Sequence, residues 1–176
     1  TVEGIWKNGK LQSTNNLSPK NLPNCPSTKD LDWDNCFGFY ESDNGDTYLG
    51  EWNKNVRLGS GIQTDNDGTK YLGNFKNDKF NGRGTFRGNN GSVYEGLFKD
   101  DQFNGKGTLT FGPKTGTSGD TYFGEFKNNK YHGQGTLTEP GNTQFVGEFK
   151  GGKRHGQFTV IYPIGGKLIL KFKNDE

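Results

Sequence analysis

The chain repeats one short phrase about every 23 residues, and this period limits its possible folds more than any other feature. The phrase begins at Tyr48, Tyr71, Tyr94, Tyr122, Phe145 and Leu168, at intervals of 23, 23, 28, 23 and 23 residues. The longer interval contains FGPKTGTSGDT, residues 111 to 121, which is typical of a lengthened loop between strands. Such a period indicates units that bury their apolar faces by stacking on one another.

Each repeat is predicted to form one β-hairpin. It opens with Y-x-G-x-F, passes through a turn pair and returns as G-x-G; the turn pairs are Asn77-Asp78, Asp100-Asp101, Asn128-Asn129 and Gly151-Gly152. Asn, Asp and Gly in a two-residue loop favour a primed turn, in which both residues have positive φ. Counting outward from the Asn77-Asp78 turn, we expect four facing pairs: Lys76 with Lys79, Phe75 with Phe80, Gly73 with Gly82, and Tyr71 with Gly84.

The composition favours strands and argues against a thick core. Only 27% of the 176 residues are hydrophobic, which is too few for two packed layers. Disorder would require few aromatics and a large net charge, whereas this chain has 14% aromatics and a net charge of +2. Ala and Met are absent, and Phe, Tyr, Thr and Gly are abundant. We therefore predict an all-β protein whose rings lie in slots that periodic glycines open.

The repeated phrase, Y-x-G-x-F followed by N-G-x-G-T, resembles the MORN repeat (membrane occupation and recognition nexus) over residues 48 to 168. The resemblance implies an elongated, twisted antiparallel β-meander, a single-layer sheet of stacked hairpins. It also implies an interaction or scaffolding module, which in this family is sometimes attached to an enzyme such as a SET-type methyltransferase or a lipid kinase. We find no such enzyme domain in this sequence.

The two ends depart from the repeat pattern. Residues 1–47 are predicted to form an atypical N-terminal repeat or cap, with a turn at Asn8-Gly9 and an insertion or decayed repeat at residues 12–36. Five repeats follow over 48–167, and residues 168–176 are predicted to form a capping strand. Phe158 replaces the second glycine, opposite Phe145, and leads into FTVIYPIGGKLILKF, the most aliphatic stretch. We expect this stretch to close the open edge of the sheet.

Both cysteines lie in the insertion, where Cys36 takes the place of the first glycine of a G-x-G pair. Two cysteines in a small, core-poor chain favour a Cys25–Cys36 disulfide, the alternative being two unreactive thiols. The spelling LP-x-C and W-x-N-C-x-G also resembles exported bacterial members of the MORN group. We therefore expect a periplasmic or secreted location, with a cytoplasmic or membrane-peripheral one as the alternative. The absence of an initiator Met before Thr1 favours a removed leader.

The sequence offers no good catalytic, cofactor or metal site. Glu125 and Glu148 stand at equivalent positions of successive repeats, so they share one environment, whereas an acid and a base need different ones. His132 and His155 also occupy one repeat position, about 9.5 Å apart across two strands, which is too far to share a zinc ion. No nucleotide, protease or hydrolase motif occurs. We predict a protein that is not an enzyme and holds no cofactor or metal.

Two surfaces are candidates for binding. The first, called here the lysine rim, stands beside the hairpin turns and consists of Lys76, Lys79, Lys99, Lys127, Lys130, Lys150 and Lys153. It is either a solvated, protected edge or a site for the anionic headgroups of a membrane surface. Asp78, Asp100 and Asp101 lie in the same turns and weaken its positive field. Nucleic acid is not expected at a pI near 8.4.

The second surface is the aromatic face, which consists of Tyr48, Trp52, Tyr71, Phe75, Phe80, Tyr94, Phe98, Phe103, Tyr122, Phe126 and Tyr131. Because one sheet layer does not cover these rings, we expect an exposed groove that binds a protein partner or a second copy of the chain. The function predicted from the sequence is therefore a binding or scaffold module. The alternative is a peripheral membrane module that binds anionic phospholipids through the lysine rim.

Overall fold

The computed structural model describes residues 5–7, 10–13, 21–26, 32–116 and 119–172, and these form β-strands joined by tight turns. The strands are β1 (Ile5–Lys7), β2 (Lys10–Ser13), β3 (Cys36–Glu41), β4 (Thr47–Asn53), β5 (Val56–Thr64), β6 (Lys70–Lys76), β7 (Lys79–Arg87), β8 (Val93–Lys99), β9 (Gln102–Thr110), β10 (Thr121–Lys127), β11 (Lys130–Thr138), β12 (Gln144–Lys150), β13 (Lys153–Ile161) and β14 (Lys167–Phe172).

β3 to β14 form one open antiparallel sheet of 12 strands in which every strand pairs with its neighbours in sequence. β1 and β2 pair with each other as a separate two-stranded sheet. The all-β prediction and the meander of stacked hairpins are therefore confirmed. None of the described residues forms a helix long and apolar enough to cross a membrane.

The predicted primed turns are confirmed. Asn77 and Asp78 have φ of 50° and 64°, and Asp100 and Asp101 have 49° and 65°. The pairs Asn128-Asn129 and Gly151-Gly152 also have positive φ throughout. Lys54 and Asn55, which the sequence pattern did not single out, form a turn of the same kind.

The predicted register is correct beside the turn and wrong beyond it. Lys76 pairs with Lys79 and Phe75 with Phe80, as expected. Gly73, however, pairs with Gly84 instead of Gly82, and Tyr71 pairs with Phe86 instead of Gly84. The reason is a bulge in the returning strand, where Gly82 takes a φ of 69° that favours glycine.

The same shift corrects the expectation for Phe158. Phe158 pairs with Gly147 instead of Phe145, because the register of β12 with β13 shifts between Gly147 and Glu148. Phe145 pairs with Val160 instead, and Phe158 and Val160 are both buried. In the next strand Leu168 and Ile169 are 45% and 60% exposed, so the aliphatic C-terminal stretch is only partly covered.

The long interval between repeats three and four behaves as predicted. Residues 111–120 connect β9 to β10, and Tyr122 pairs with Leu109 across the gap without a change of register. The predicted Asn8-Gly9 turn and much of the predicted insertion at 12–36 lie outside the described residues. The division of the chain into caps and repeats stays a prediction.

Candidate functional site

The inner face of the sheet, defined here as the face that carries Tyr48, Tyr71, Tyr94 and Tyr122, is built from tyrosines lying over paired glycines. Tyr71 illustrates the arrangement: a Cβ atom added to Gly84 would lie 2.6 Å from Cε2 of its ring. Gly73 faces Gly84 across the strands, and both lie under the same ring. The glycines thus provide room for the ring, which explains why large aromatics and glycines alternate in the repeats.

Tyr71, Tyr94 and Tyr122 are each fixed by a stacked ring and by hydrogen bonding of the hydroxyl to a backbone carbonyl oxygen. Phe80 stacks on Tyr71 with ring centroids 3.7 Å apart and planes 12° apart, and Phe98 of the next repeat contacts Tyr71 edge-on. The Tyr71 hydroxyl donates to the carbonyl oxygen of Asn74 at 2.9 Å. Burial raises the pKa of the Tyr71 hydroxyl, and that of Tyr94 to about 12.

Most rings of the aromatic face are therefore buried by other side chains of the same chain. The buried members are Tyr48, Trp52, Tyr71, Phe75, Tyr94, Phe98, Tyr122 and Phe126, and the half-buried ones are Phe80, Phe103 and Tyr131. The expectation of an exposed groove along these rings is wrong, because rings of adjacent repeats cover one another. Whether the half-buried rings bind a partner stays a prediction.

Apolar side chains are more exposed on the opposite surface, called here the outer face. Leu72, Leu97 and Phe123, which alternate with inner-face residues along their strands, are 47%, 39% and 61% exposed. Alternation along a strand places them away from the tyrosines. A second exposed group lies at the C-terminal edge, with Tyr162 at 40% and Ile164 at 97%.

The lysines of the rim lie beside the hairpin turns, and their role as a binding site stays a prediction. Lys76 pairs with Lys79, Lys127 with Lys130, and Lys150 with Lys153, and all of the rim lysines are exposed. Lys99 faces Gln102 instead of a second lysine. Acidic side chains stand in two of these turns, at Asp78 and at Asp100-Asp101. Asp78 accepts a charge-assisted hydrogen bond from Arg57 Nε at 3.1 Å.

Arg57 interrupts the row of stacked rings and opens a pocket at the N-terminal end of the inner face. It stands where the following repeats have Phe80, Phe103 and Tyr131. Its guanidinium carbon lies 5.7 Å from the Tyr48 ring centroid, whereas Phe80 lies 3.7 Å from that of Tyr71. The resulting pocket has a volume of about 630 Å³.

The pocket combines aromatic walls with hydrogen-bonding groups. Trp33 and Trp52 meet edge to face with centroids 4.9 Å apart, and Tyr40 contacts both. Ser42, Asp46, Thr47, Asn55, Gln63 and Asp78 complete the lining. The indole N–H of Trp33 is buried without a hydrogen-bond acceptor.

Arg57 is held at this pocket by its neighbours. Its Nη1 donates to Gln63 Oε1, and its Nη2 donates to the carbonyl oxygen of Asp78 at 2.7 Å. Asp78 also receives the Arg57 backbone N–H. Because the guanidinium is already paired with a carboxylate, the pocket carries little net positive charge.

The disulfide predicted from the sequence is present and closes the edge strand beside this pocket. Cys25 and Cys36 are joined with a Cα–Cα distance of 5.0 Å. Cys25 packs on Gly38, where an added Cβ would meet its Sγ at 2.8 Å. The Cys25 N–H donates to the Phe37 carbonyl oxygen, and the Phe37 N–H donates to that of Pro23. Residues 23–25 thus bond to Phe37 on the free edge of β3. The disulfide thus takes the place over glycine that a tyrosine ring takes elsewhere.

The aligned glutamates and histidines lie at equivalent positions, but the two carboxylates do not share one environment as predicted. Glu125 faces His132 and Glu148 faces His155 across their hairpins, at equivalent positions. The Glu125 carboxylate lies against Gly133, and Glu148 is exposed. Among the described residues no three His, Cys, Asp or Glu side chains cluster closely enough to hold a metal ion.

The pocket residues Trp33, Arg57 and Asp78 were not identified as a site from the sequence. A signal was available, since Arg57 precedes Phe80 by one repeat and is the one cation at a position otherwise held by rings in the first four repeats. Trp33 precedes Arg57 by about the same interval. Its backbone is bonded to Asn55 as Phe80 is bonded to Asp101, so it holds the same position one repeat earlier.

Comparison with known proteins agrees with this architecture. The MORN repeat matches five successive segments, residues 48–70, 71–93, 94–115, 122–143 and 145–167. A search of curated proteins found no significant match. Each matched segment spans one hairpin with its tyrosine, glycine pair and turn, apart from the last, in which Phe145 and Phe158 replace the tyrosine and a glycine. The matched segments make up well over half of the chain, which therefore belongs to the MORN repeat family, whose repeats are generally non-catalytic.

Proposed function

We propose that this chain is a non-enzymatic binding or scaffold module that acts through protein–protein contact, including association with a second copy of itself through β14. The observation that carries the proposal is the difference between the two edges of the sheet. Residues 23–25 bond to Phe37 on the free side of β3, next to the disulfide, whereas no described residue pairs with the free side of β14. A free strand edge is a template for another strand.

The sequence of β14 is suited to pairing with itself. An antiparallel pair centred on Leu170 would place Leu168 opposite Phe172 of the second copy, and Ile169 opposite Lys171. The apolar pairs would extend the inner face, and no lysine of residues 168–172 would face another. Because the same edge of both copies would be used, such pairing closes as a two-fold dimer and does not propagate through β14.

The test is the oligomeric state of the purified chain, measured by light scattering over a range of concentrations in low salt and in about 0.5 M salt. A dimer that persists in high salt is expected, because backbone hydrogen bonds and apolar pairs are not screened. Ile169→Lys would place like charges opposite each other and should yield a monomer. Leu72→Lys, on the same face in the middle of the sheet, should leave the dimer intact. A monomer at every concentration contradicts the proposal, as does an Ile169→Lys dimer.

The paired, exposed lysines support a second candidate function, the binding of anionic phospholipid headgroups by the lysine rim. Lys127 and Lys130 face each other, and so do Lys150 and Lys153 two strands away. Exposed charges are screened over about 8 Å at physiological salt, so binding to phosphatidylserine vesicles through this rim should weaken steeply as salt rises. Association through β14 should not weaken as salt rises.

The disulfide supports a proposed location outside the reducing cytosol. Disulfides persist mainly in secreted, periplasmic and surface proteins. Cys25 and Cys36 hold the segment that covers the β3 edge, so their reduction would expose a second free edge. An exported location would keep that edge covered.

A further inference from the structure

The pocket at Arg57 is a larger space than the cavity of about 360 Å³ beside Phe86, Phe103 and Leu109 farther along the inner face. In the next three repeats an aromatic ring stacks 3.7 Å from the tyrosine and fills the corresponding space. At Arg57 the side chain turns toward Asp78 and Gln63 instead. The volume of about 630 Å³ lies within the range of small-molecule sites.

The charges of the pocket argue against an ionic ligand. Asp46 and Asp78 line it together with one cation, Arg57, so a phosphate or carboxylate would meet more negative than positive charge. An ammonium ligand would need the aromatic faces, but the Arg57 guanidinium already lies 5.7 Å from the Tyr48 ring centroid and 5.4 Å from that of Phe75. The ligand is therefore neutral.

The lining also argues against a purely apolar ligand. Asn55, Gln63 and Asp46 already make hydrogen bonds within the chain, but each keeps further donor or acceptor capacity that a hydrocarbon would leave without a partner. A hydroxyl-bearing ligand offers these groups both donors and acceptors.

We propose that this pocket binds a neutral carbohydrate, with a pyranose ring packed against the indole and phenol walls and its hydroxyls bonded to the polar rim. A pyranose presents one face of C–H bonds and an edge of hydroxyls, which matches walls of Trp33, Tyr40 and Trp52 beside Arg57, Asp46 and Asp78. The site extends the function beyond protein contact and does not depend on association through β14.

The test uses the purified, oxidised chain with three soluble probes: cellohexaose, maltohexaose and the hexamer of N-acetylglucosamine. Two of the three tryptophans, Trp33 and Trp52, line the pocket, so binding is read from tryptophan fluorescence and confirmed by saturation-transfer NMR. A saturable response to at least one oligosaccharide is expected. Tetramethylammonium and inorganic phosphate serve as the ionic probes and should give none.

A matched pair of variants locates the site. Arg57→Phe restores the stacked ring of the following repeats and should weaken oligosaccharide binding by about tenfold or more. Arg154→Phe changes the equivalent residue at the far end of the sheet and should leave binding unchanged. Arg57→Met, which keeps the side-chain length but removes the donors, serves in its place if Arg57→Phe does not fold.

Three results would overturn the proposal: no response to any of the oligosaccharides at about 10 mM, far above the affinities of specific sites; equal weakening by the Arg57 and Arg154 variants; or binding of an ionic probe in their place. Arg57→Phe should leave the oligomeric state unchanged. Failure of this proposal is therefore distinguishable from failure of association through β14.

Discussion

Individual glycines and tyrosines account for the stability of a sheet over which the described residues form no second layer. Tyr71, Tyr94 and Tyr122 are almost completely buried although they lie in a single-layer sheet. Each reaches this state because its ring lies on glycine backbone and is stacked by a ring of the returning strand. Full burial of an aromatic side chain stabilises the fold by about 1.5–3 kcal/mol, which outweighs the roughly 0.5–1 kcal/mol cost of a glycine in a strand.

A methyl group in one of these slots should therefore destabilise the fold. Gly84→Ala places a Cβ 2.6 Å from the Tyr71 ring, so the free energy of unfolding should fall by about 1–3 kcal/mol in urea titrations. Gly116→Ala is the control, since nothing lies within 4 Å of its added Cβ, and it should change stability by less than about 0.5 kcal/mol. If both substitutions changed the free energy of unfolding equally, the position under the Tyr71 ring would not require glycine.

The hairpin is the structural element, and its turn fastens each repeat to the one before it. The second turn residue bonds backward through both its backbone and its side chain. Asp101 donates its N–H to the Phe80 carbonyl oxygen, and its carboxylate accepts the Phe80 N–H at 2.7 Å. Asn129 makes the same two bonds to Phe103. Turn chemistry therefore serves contact between repeats as well as chain reversal.

This bond gives a prediction for the turn. Asp101→Gly keeps the positive φ but removes the carboxylate that accepts the Phe80 N–H, and should lower the free energy of unfolding by about 1 kcal/mol. Asp100→Gly is the matched control, because within the described chain the Asp100 carboxylate makes no hydrogen bond. Native-state hydrogen exchange should show faster exchange at Phe80 in Asp101→Gly alone. Equal exchange in both variants would contradict the role of the side chain.

Over the whole molecule, each repeat is stabilised by contacts with its neighbours. The buried tyrosines make the stability of this sheet sensitive to alkaline pH. Tyr48, Tyr71, Tyr94, Tyr122 and Tyr131 all have pKa values raised above 10.0 by burial. Above pH 10 the unfolded chain loses phenolic protons that the folded chain keeps, so the unfolded state becomes more favourable. This contribution to stability is complete below pH 10.

The free energy of unfolding should therefore fall as pH rises above 10, by up to about 1.4 kcal/mol per pH unit for each such tyrosine. Circular dichroism should show cooperative loss of the sheet, and tyrosinate absorbance should rise together with it. Tyr94→Phe, which removes one of these groups, should make the pH dependence shallower. A rise in tyrosinate absorbance well before the sheet is lost would contradict the prediction.

The sequence predicted the features that depend on neighbouring residues. The period, the hairpins, the primed turns and the Cys25–Cys36 disulfide follow from residue types at short spacing, since φ preferences and alternation act locally. The pairing of Phe75 with Phe80 could be predicted because only a two-residue turn separates the two strands. Residues 111–121 were recognised as a loop from their Gly, Ser and Thr content, although Thr121 already belongs to β10.

The tertiary structure decided the features that depend on contacts between strands and between repeats. The bulge at Gly82 moved the partner of Tyr71 to Phe86, because the four steps from Phe80 to Gly84 lie opposite the two steps from Phe75 to Gly73. Burial of the aromatic face arose from rings of adjacent repeats, which no single repeat specifies. The pocket formed where Arg57, drawn to Asp78 of the next hairpin, left the stack incomplete. Such contacts join residues far apart in sequence, so local patterns do not determine them.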